Sequence, residues 1–247
     1  MKRRIMMILT LLLALLIVPH LWTAVKVRGY DHWSKARWDS AGIAGDPSET
    51  PEAVVQVYAA RAWGWKGVFA VHSWISIKHK GATQYDRYEV VGWGVGRGAP
   101  AVRKNRHVPD GYWAGNPPEL LVDLRGPDVQ SLVERIEKAI AAYPYPDRYV
   151  TWPGPNSNTF IAHLGRTVPE LNLELPPTAI GKDYLDQGAL IASTPSGSGY
   201  QLSLFGVLGA SLGRSEGIEL HILGLTLGID PFDFAIKLPS VGRIGSR

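Results

Sequence analysis

The sequence predicts an α+β fold in which a hydrophobic N-terminal helix precedes an antiparallel-sheet domain with one main helix, and a β-rich region follows. Three observations carry this. Residues 54–63, 67–78 and 85–95 are rich in Val, Ile, Tyr, Trp and Phe and are separated by short turns, which favours consecutive strands pairing antiparallel. Residues 127–142 repeat apolar side chains at helical spacing. Residues 5–25 hold no Asp, Glu, Lys or Arg. With 247 residues, 45% hydrophobic and 19% charged, the chain has the composition of a folded protein.

The N-terminal element comes first. Lys2, Arg3 and Arg4 precede the apolar run, which Pro19 and His20 interrupt near its far end. About twenty residues rising 1.5 Å each cross about 30 Å of hydrocarbon, so residues 1–25 are expected to be a transmembrane anchor. A cleaved signal peptide is the competing reading, but no small-x-small site stands at 22–25. The leading basic cluster is denser than Lys26, Arg28, Lys35 and Arg37 beyond the run. The expected topology is therefore single-pass in the inner (cytoplasmic) membrane, with the domain on the periplasmic side. Residues 26–52 read as a juxtamembrane linker, in which the aromatic and basic stretch 30–38 either lies at the headgroups or folds onto the domain.

The domain is expected over 53–186. After the three strands, the Gly-, Pro- and Arg-rich stretch 96–118 reads as a long loop. In the helix that follows, Pro127 suits the first turn, and Val129, Leu132, Val133, Ile136, Ala139 and Ile140 share one face. Glu134 and Lys138 support it as an i,i+4 pair, and Pro144 and Pro146 end it. The segment Trp152-Pro-Gly-Pro-Asn-Ser-Asn-Thr-Phe then reads as a tight turn feeding a short helix. Residues 187–247 are expected to be a β-rich extension. There, two similar apolar stretches at 202–209 and 220–228 flank a turn at 213–217 and read as two strands of a hairpin.

Composition excludes several chemistries. The chain has no cysteine, hence no disulfide, thiolate metal site or cysteine nucleophile. Its seven histidines lack metal-ligand spacing, so neither a metal nor a cofactor is expected. A net charge of +4 without a run of five basic residues argues against a nucleic-acid partner. The glycine-rich stretch 92–98 has no following Lys-Ser/Thr pair and reads as a strand end entering a loop.

Two residues remain as carriers of chemistry. His72 sits mid-strand among apolar neighbours, on a rigid platform. Ser157 sits where a turn becomes a helix, at the positive end of the helix and near its free N–H groups. A Ser–His pair performs acyl transfer when the imidazole reaches the hydroxyl and a third polar group orients it. The structural alternatives are a helix cap drawn from Asn156, Ser157 and Asn158, and a core histidine.

Three stretches resemble an uncharacterised bacterial family of domain-of-unknown-function proteins, the 3750 family: Ala59-Ala-Arg-Ala-Trp-Gly-Trp-Lys-Gly-Val-Phe-Ala-Val-His-Ser-Trp, Trp152-Pro-Gly-Pro-Asn-Ser-Asn-Thr-Phe, and Leu175-Pro-Pro-Thr-Ala-Ile-Gly-Lys-Asp-Tyr. The order of strand histidine, strands, long helix and Asn-x-x-x-Phe helix start is more loosely similar to the circularly permuted papain-like group, which includes NlpC/P60 peptidases and lecithin:retinol acyltransferase-like enzymes. That resemblance implies a permuted papain-like domain with His72 as base and Ser157 in the nucleophile's place, where the group carries cysteine. Asn156 and Phe160 are in register with it. The third polar residue falls on the next strand, with Glu89 and Tyr88 both available. Asn156, Asn158, Trp74 and Tyr88 are the binding residues expected around the pair.

Two functions follow as expectations. The first is a membrane-anchored Ser–His hydrolase or acyltransferase acting on an amide or ester in the cell envelope. The second is a catalytically dead module that binds a lipid or cell-wall fragment, or a structural partner of an envelope complex. Membrane lipid and a cell-envelope ligand are the expected partners.

Overall fold

A computed structural model describes residues 2–26 and 33–246. Residues 27–32, and with them part of the aromatic and basic stretch 30–38, lie outside the described residues. The architecture is α+β, with two antiparallel sheets and few helices. In chain order the elements are α1 (Lys2–Lys26), β1 (Ala53–Arg61), β2 (Val71–Lys78), β3 (Asp86–Val90), β4 (Val102–Lys104), β5 (Glu119–Gly126), α2 (Val129–Ala141) and α3 (Ser157–Thr167). The C-terminal strands are β6 (Ile191–Ser193), β7 (Gly199–Leu204), β8 (Leu208–Gly213), β9 (Gly217–Ile222), β10 (Leu225–Asp230), β11 (Ala235–Leu238) and β12 (Gly242–Ile244).

The first sheet has the order β4-β3-β2-β1-β5. It extends the expected meander by a strand at each edge. β4 comes from the stretch read as loop, and β5, whose sequence Glu-Leu-Leu-Val-Asp-Leu-Arg-Gly lies just ahead of the helix, pairs along β1 with a register shift at Val57/Tyr58. Alternation divides the sheet into two faces. Val55, Val57, Ile75 and Ile77 point to the main core, which Leu132, Val133 and Ile136 of α2 and Phe160, Ile161 and Leu164 of α3 complete. Tyr58, Ala60, Trp74 and Val91 point the other way and are covered by Trp113 from the long loop. The loop is held by Asp110, whose carboxylate accepts from Ser40 Oγ at 2.7 Å, Ile43 N at 2.6 Å and Ala44 N at 3.1 Å. Trp38 stacks on His107 with centroids 4.9 Å apart. Residues 38–44 of the linker are thus packed on the domain.

The second sheet is a seven-stranded meander, β12-β11-β10-β9-β8-β7-β6. This corrects the single hairpin expected there. The apolar–x–apolar–apolar–Gly pattern shared by 202–206 and 220–224 ends in turns: Phe205 and Gly206, and likewise Leu223 and Gly224, all have positive φ. Such pairs fit the tight hairpin turns whose twist matches the strands. Each apolar stretch is therefore a hairpin folded at its own glycine. The alternation is strict. Gln201, Ser203, Ser211, Glu219, His221 and Lys237 are buried against the first domain, while Leu202, Leu204, Leu212, Leu220 and Ile229 are exposed.

The C-terminal part of α1 meets the domain. His20 packs on Phe69, centroids 4.6 Å apart, and its Nδ1 hydrogen-bonds Ser240 Oγ. Pro19 and Thr23 are buried at this junction. Among the described residues no helix is long and apolar enough to cross a membrane.

Candidate functional site

His72 is the second residue of β2, buried, with its ring stacked on Trp113 at 3.6 Å between centroids and 14° between planes. Its Nε2 lies 2.9 Å from Glu89 Oε2. Glu89 reaches it because β3 pairs Glu89 with Trp74 and Arg87 with Ser76, which puts all of these on the face of the sheet that carries His72. Arg87 donates to the same carboxylate oxygen at 2.9 Å and to Val108 O at 2.9 Å, and its guanidinium lies over the Trp74 ring at 4.1 Å.

Burial pushes the Glu89 carboxyl up, but the hydrogen bond to His72 and the charge of Arg87 outweigh it and hold the group at about 2. Burial likewise lowers the His72 pKa, against the pull of Glu89. The pair is therefore a neutral imidazole beside a carboxylate. A carboxylate only accepts, so the ring hydrogen sits on Nε2 and Nδ1 keeps its lone pair.

Ser157 opens α3, and the capping role belongs to its neighbour. Asn156 Oδ1 accepts from Asn158 N at 2.9 Å and Thr159 N at 3.2 Å, while Thr159 Oγ1 accepts from Asn156 N at 3.2 Å. This reciprocal box satisfies the first turn. Asn156 Nδ2 then donates to Thr151 O and Ile180 O, both at 3.1 Å. Gly181 makes the fit possible: its φ is +93°, and a Cβ there would stand 2.4 Å from Asn156 Nδ2. Asn158 ties the helix start to β2, donating to Val71 O at 3.0 Å and accepting from Ser73 Oγ at 2.8 Å. With the cap filled, Ser157 Oγ has no hydrogen-bond partner among the described residues.

His72, Asn156, Ser157 and Asn158 line one cavity of about 880 Å³. Its other walls are mostly aromatic and apolar, among them Trp63, Trp65, Trp93, Trp113 and Trp152, with Lys66 and Thr151 as the other polar members. Gly92 also belongs to it: a Cβ there would lie 2.6 Å from Tyr149 Cδ1, so the wall closes only on a glycine.

The expected residues are thus divided. His72, Ser157, Asn156 and Asn158 share the cavity, and Glu89 stands behind His72. Trp74 and Tyr88 do not line it. Trp74 is buried, stacked on Tyr58, with Nε1 donating to Pro109 O at 2.7 Å. Tyr88 pairs with Ile75 and so points to the core face. No hydrogen bond joins His72 to Ser157 among the described residues. Alternation explains this: Ser73, not His72, is the β2 side chain directed at α3. Arg87 and Trp113 were missed from the sequence. Arg87 could have been found as the i−2 neighbour of Glu89, whereas Trp113 arrives from a loop with no periodicity to place it. Among the described residues no group of three or more His, Asp or Glu could hold a metal ion.

No curated protein and no solved structure matches the chain. The family of proteins of unknown function designated DUF3750 matches residues 52–184, which hold the first sheet, α2, α3 and every polar residue of the cavity, and the chain belongs to that family.

Proposed function

We propose that the protein is a membrane-anchored acyl hydrolase or acyltransferase acting on an amide or ester, with Ser157 as nucleophile, His72 as base and Glu89 as the residue that positions His72. One observation carries the reading: the Glu89 bond to Nε2 at 2.9 Å leaves Nδ1 of His72 unprotonated, and His72 and Ser157 line one cavity. In the reaction, Nδ1 takes the hydroxyl proton as Oγ attacks the carbonyl carbon. The oxyanion is met by the Ser157 N–H at the positive end of α3. The imidazolium then returns its proton to the leaving nitrogen or oxygen. Water, or an acceptor hydroxyl or amine, releases the acyl group by the reverse path. A neutral substrate with an apolar acyl part suits the aromatic walls.

The order of strand histidine, next-strand carboxylate and helix-start hydroxyl supports the permuted papain-like reading of the domain. The anchor is supported by α1, a continuous 25-residue helix with Met6, Leu11, Leu13, Ile17, Val18 and Leu21 exposed. Inner-membrane placement with a periplasmic domain follows from its basic start.

A dead binding module is the second reading. The direction of Ser73, rather than His72, toward α3 favours it. An acyl-phosphonate or fluorophosphonate probe separates the two. Labelling lost in both Ser157→Ala and His72→Ala supports the enzyme. An intact, folded chain that takes no label, yet binds a fluorescent fatty amide with unchanged affinity in both variants, removes it. For the anchor, membrane fractionation of the full chain against one lacking residues 1–25 decides: full-length protein recovered in the soluble fraction refutes it.

A further inference from the structure

The seven-stranded sheet is built with its polarity reversed. In a sheet packed on a domain, the apolar face is normally the one turned inward. Here the inward face carries Glu219, Lys237 and His221, and the apolar face is outward. The pairing makes that face continuous. Tyr200 stands opposite Leu212, Leu212 opposite Ile218, Ile218 opposite Ile229, Ile229 opposite Ile236, and Ile236 opposite Ile244. This row crosses six strands without a charge, and its exposures are 75, 66, 51, 53, 52 and 53%. At about 4.8 Å per strand and 3.3 Å per residue the face measures about 25 by 20 Å, near the upper end of the roughly 300–600 Å² of the largest patches on monomers. The turns beyond it are apolar too: Phe205 at one end and Phe234 at the other are exposed.

We propose that this outer face is a lipid-contacting surface, seated in the acyl and headgroup boundary of the membrane that holds α1. Two features select lipid over a protein partner. Protein interfaces carry about one hydrogen bond per 100–200 Å², and Tyr200 is the one residue of the row able to make one. The face also adjoins α1, which packs against β10 and β11 near Ser240, so one bilayer covers both apolar surfaces. The ladder pairs β7 to β11 on both sides, so the middle of the face presents no unpaired strand edge to lipid, and the open edges lie at β6 and β12. The placement rests on the anchored reading above, and the test separates the two.

The chain has no cysteine, so single labels are unambiguous. Leu212→Cys, Ile229→Cys and, on the exposed side of α2, Glu134→Cys are labelled with an environment-sensitive fluorophore in the full chain. The probe surface is vesicles of phosphatidylethanolamine and phosphatidylglycerol. Labels at 212 and 229 are expected to shift to the blue and to be quenched several-fold by lipids spin-labelled on the acyl chain, with 134 unaffected. Labels at 212 and 229 that keep water-like emission on vesicle-bound protein overturn the proposal and leave the anchor standing. Blue-shifted labels that acyl-chain quenchers do not reach, with cross-linking between copies, also overturn it and assign the face to a protein partner.

Discussion

The separation of capping from chemistry at the start of α3 gives a sharp paired prediction. In Asn156→Ala the helix loses its cap, at about 1 kcal/mol with a range of 0.5–2. It also strands the Thr151 carbonyl, which Asn156 Nδ2 serves at 3.1 Å, for about 1 kcal/mol more. Ile180 O keeps a partner, because Asn158 Nδ2 also donates to it at 2.9 Å. The sum is about 1.5–3 kcal/mol. For a chain of this size each kcal/mol moves Tm by about 2–4 °C, so the variant should melt about 3–12 °C below wild type. Ser157→Ala removes one hydroxyl with no hydrogen-bond partner among the described residues and places a better helix former at N1. It should stay within about 0.5 kcal/mol of wild type, a shift of about 1–2 °C. Near-UV circular dichroism melts in mild detergent measure both. If Ser157→Ala falls as far as Asn156→Ala, the hydroxyl is structural and the nucleophile assignment loses its physical basis.

Three further outcomes follow. Gly181→Ala should destabilise at least as much as Asn156→Ala, since it combines a positive φ with a clash against the same amide; the same melts check it. Lys237→Met removes a cation 3.1 and 2.6 Å from Glu219 and Glu174, which keep Lys182 and Arg243 at 2.8 and 3.0 Å, and should cost about 1.5–3 kcal/mol by denaturant titration. Stability should also depend on acid. Burial raises the Glu219 carboxyl, yet Lys182, His221 and Lys237 hold it at about 2, as His72 and Arg87 hold Glu89, against an ordinary 4.5. The unfolded chain takes up these protons first as pH falls. Up to about 3 kcal/mol for each is therefore present above pH 4.5 and fades as pH drops toward 2. Asp183, raised by burial to about 6, works in the opposite sense: its contribution is present below its ordinary 3.8 and lost as pH rises through 6. The contribution of His221, lowered by burial from an ordinary 6.5 to about 4, is lost in that same window as pH falls and offsets Asp183. Urea midpoints should therefore change little between pH 6 and 4.5 and fall below it, and Glu219→Gln should shallow the acid limb.

Much of this fold is written in periods of two and 3.6. The β1 and β2 runs and the face of α2 follow directly from apolar spacing, and the observed helix starts two residues after the expected one. β5 escaped because its Leu-Leu-Val interrupts strict alternation and Pro127 drew attention to the helix behind it. The second sheet was legible in principle: Tyr-Gln-Leu-Ser-Leu from residue 200 alternates perfectly. Its glycines divide in two: Gly206 and Gly224 are turn residues with positive φ, whereas Gly209 and Gly228 sit where backbones approach closely, a Cβ there standing 2.5 Å from Leu202 O and 2.9 Å from Ile218 O. Within the site, His72 and Ser157 were marked by residue type and position. The same alternation applied one step further, to Ser73, would have shown which β2 side chain meets α3. Tyr88 and Glu89 could not be separated by spacing, but strand parity separates them once Trp74 is paired with Glu89. Trp113 could not be anticipated, since long-loop packing is a tertiary event.

The inverted sheet also bears on how the site is held. A sheet whose apolar face is outward gains nothing from burying that face in its own chain, so its attachment must come from the polar side. Glu219 answers this with Lys182 at 2.8 Å, and Lys237 and Arg243 reach Glu174 at 2.6 and 3.0 Å. Buried ion pairs roughly break even against desolvation, so they contribute direction more than energy. Lys182 follows Gly181, the glycine that seats Asn156, and Asn156 precedes Ser157. The hairpin β9–β10 in turn supplies Leu223 and Leu225 to the cavity, and Leu223 O accepts from Trp152 Nε1 at 2.9 Å. The apolar face and the Ser157 cavity are therefore joined both through one short backbone path and through a shared wall. A membrane that fixes the position of the sheet also fixes the wall against which an acyl chain would lie.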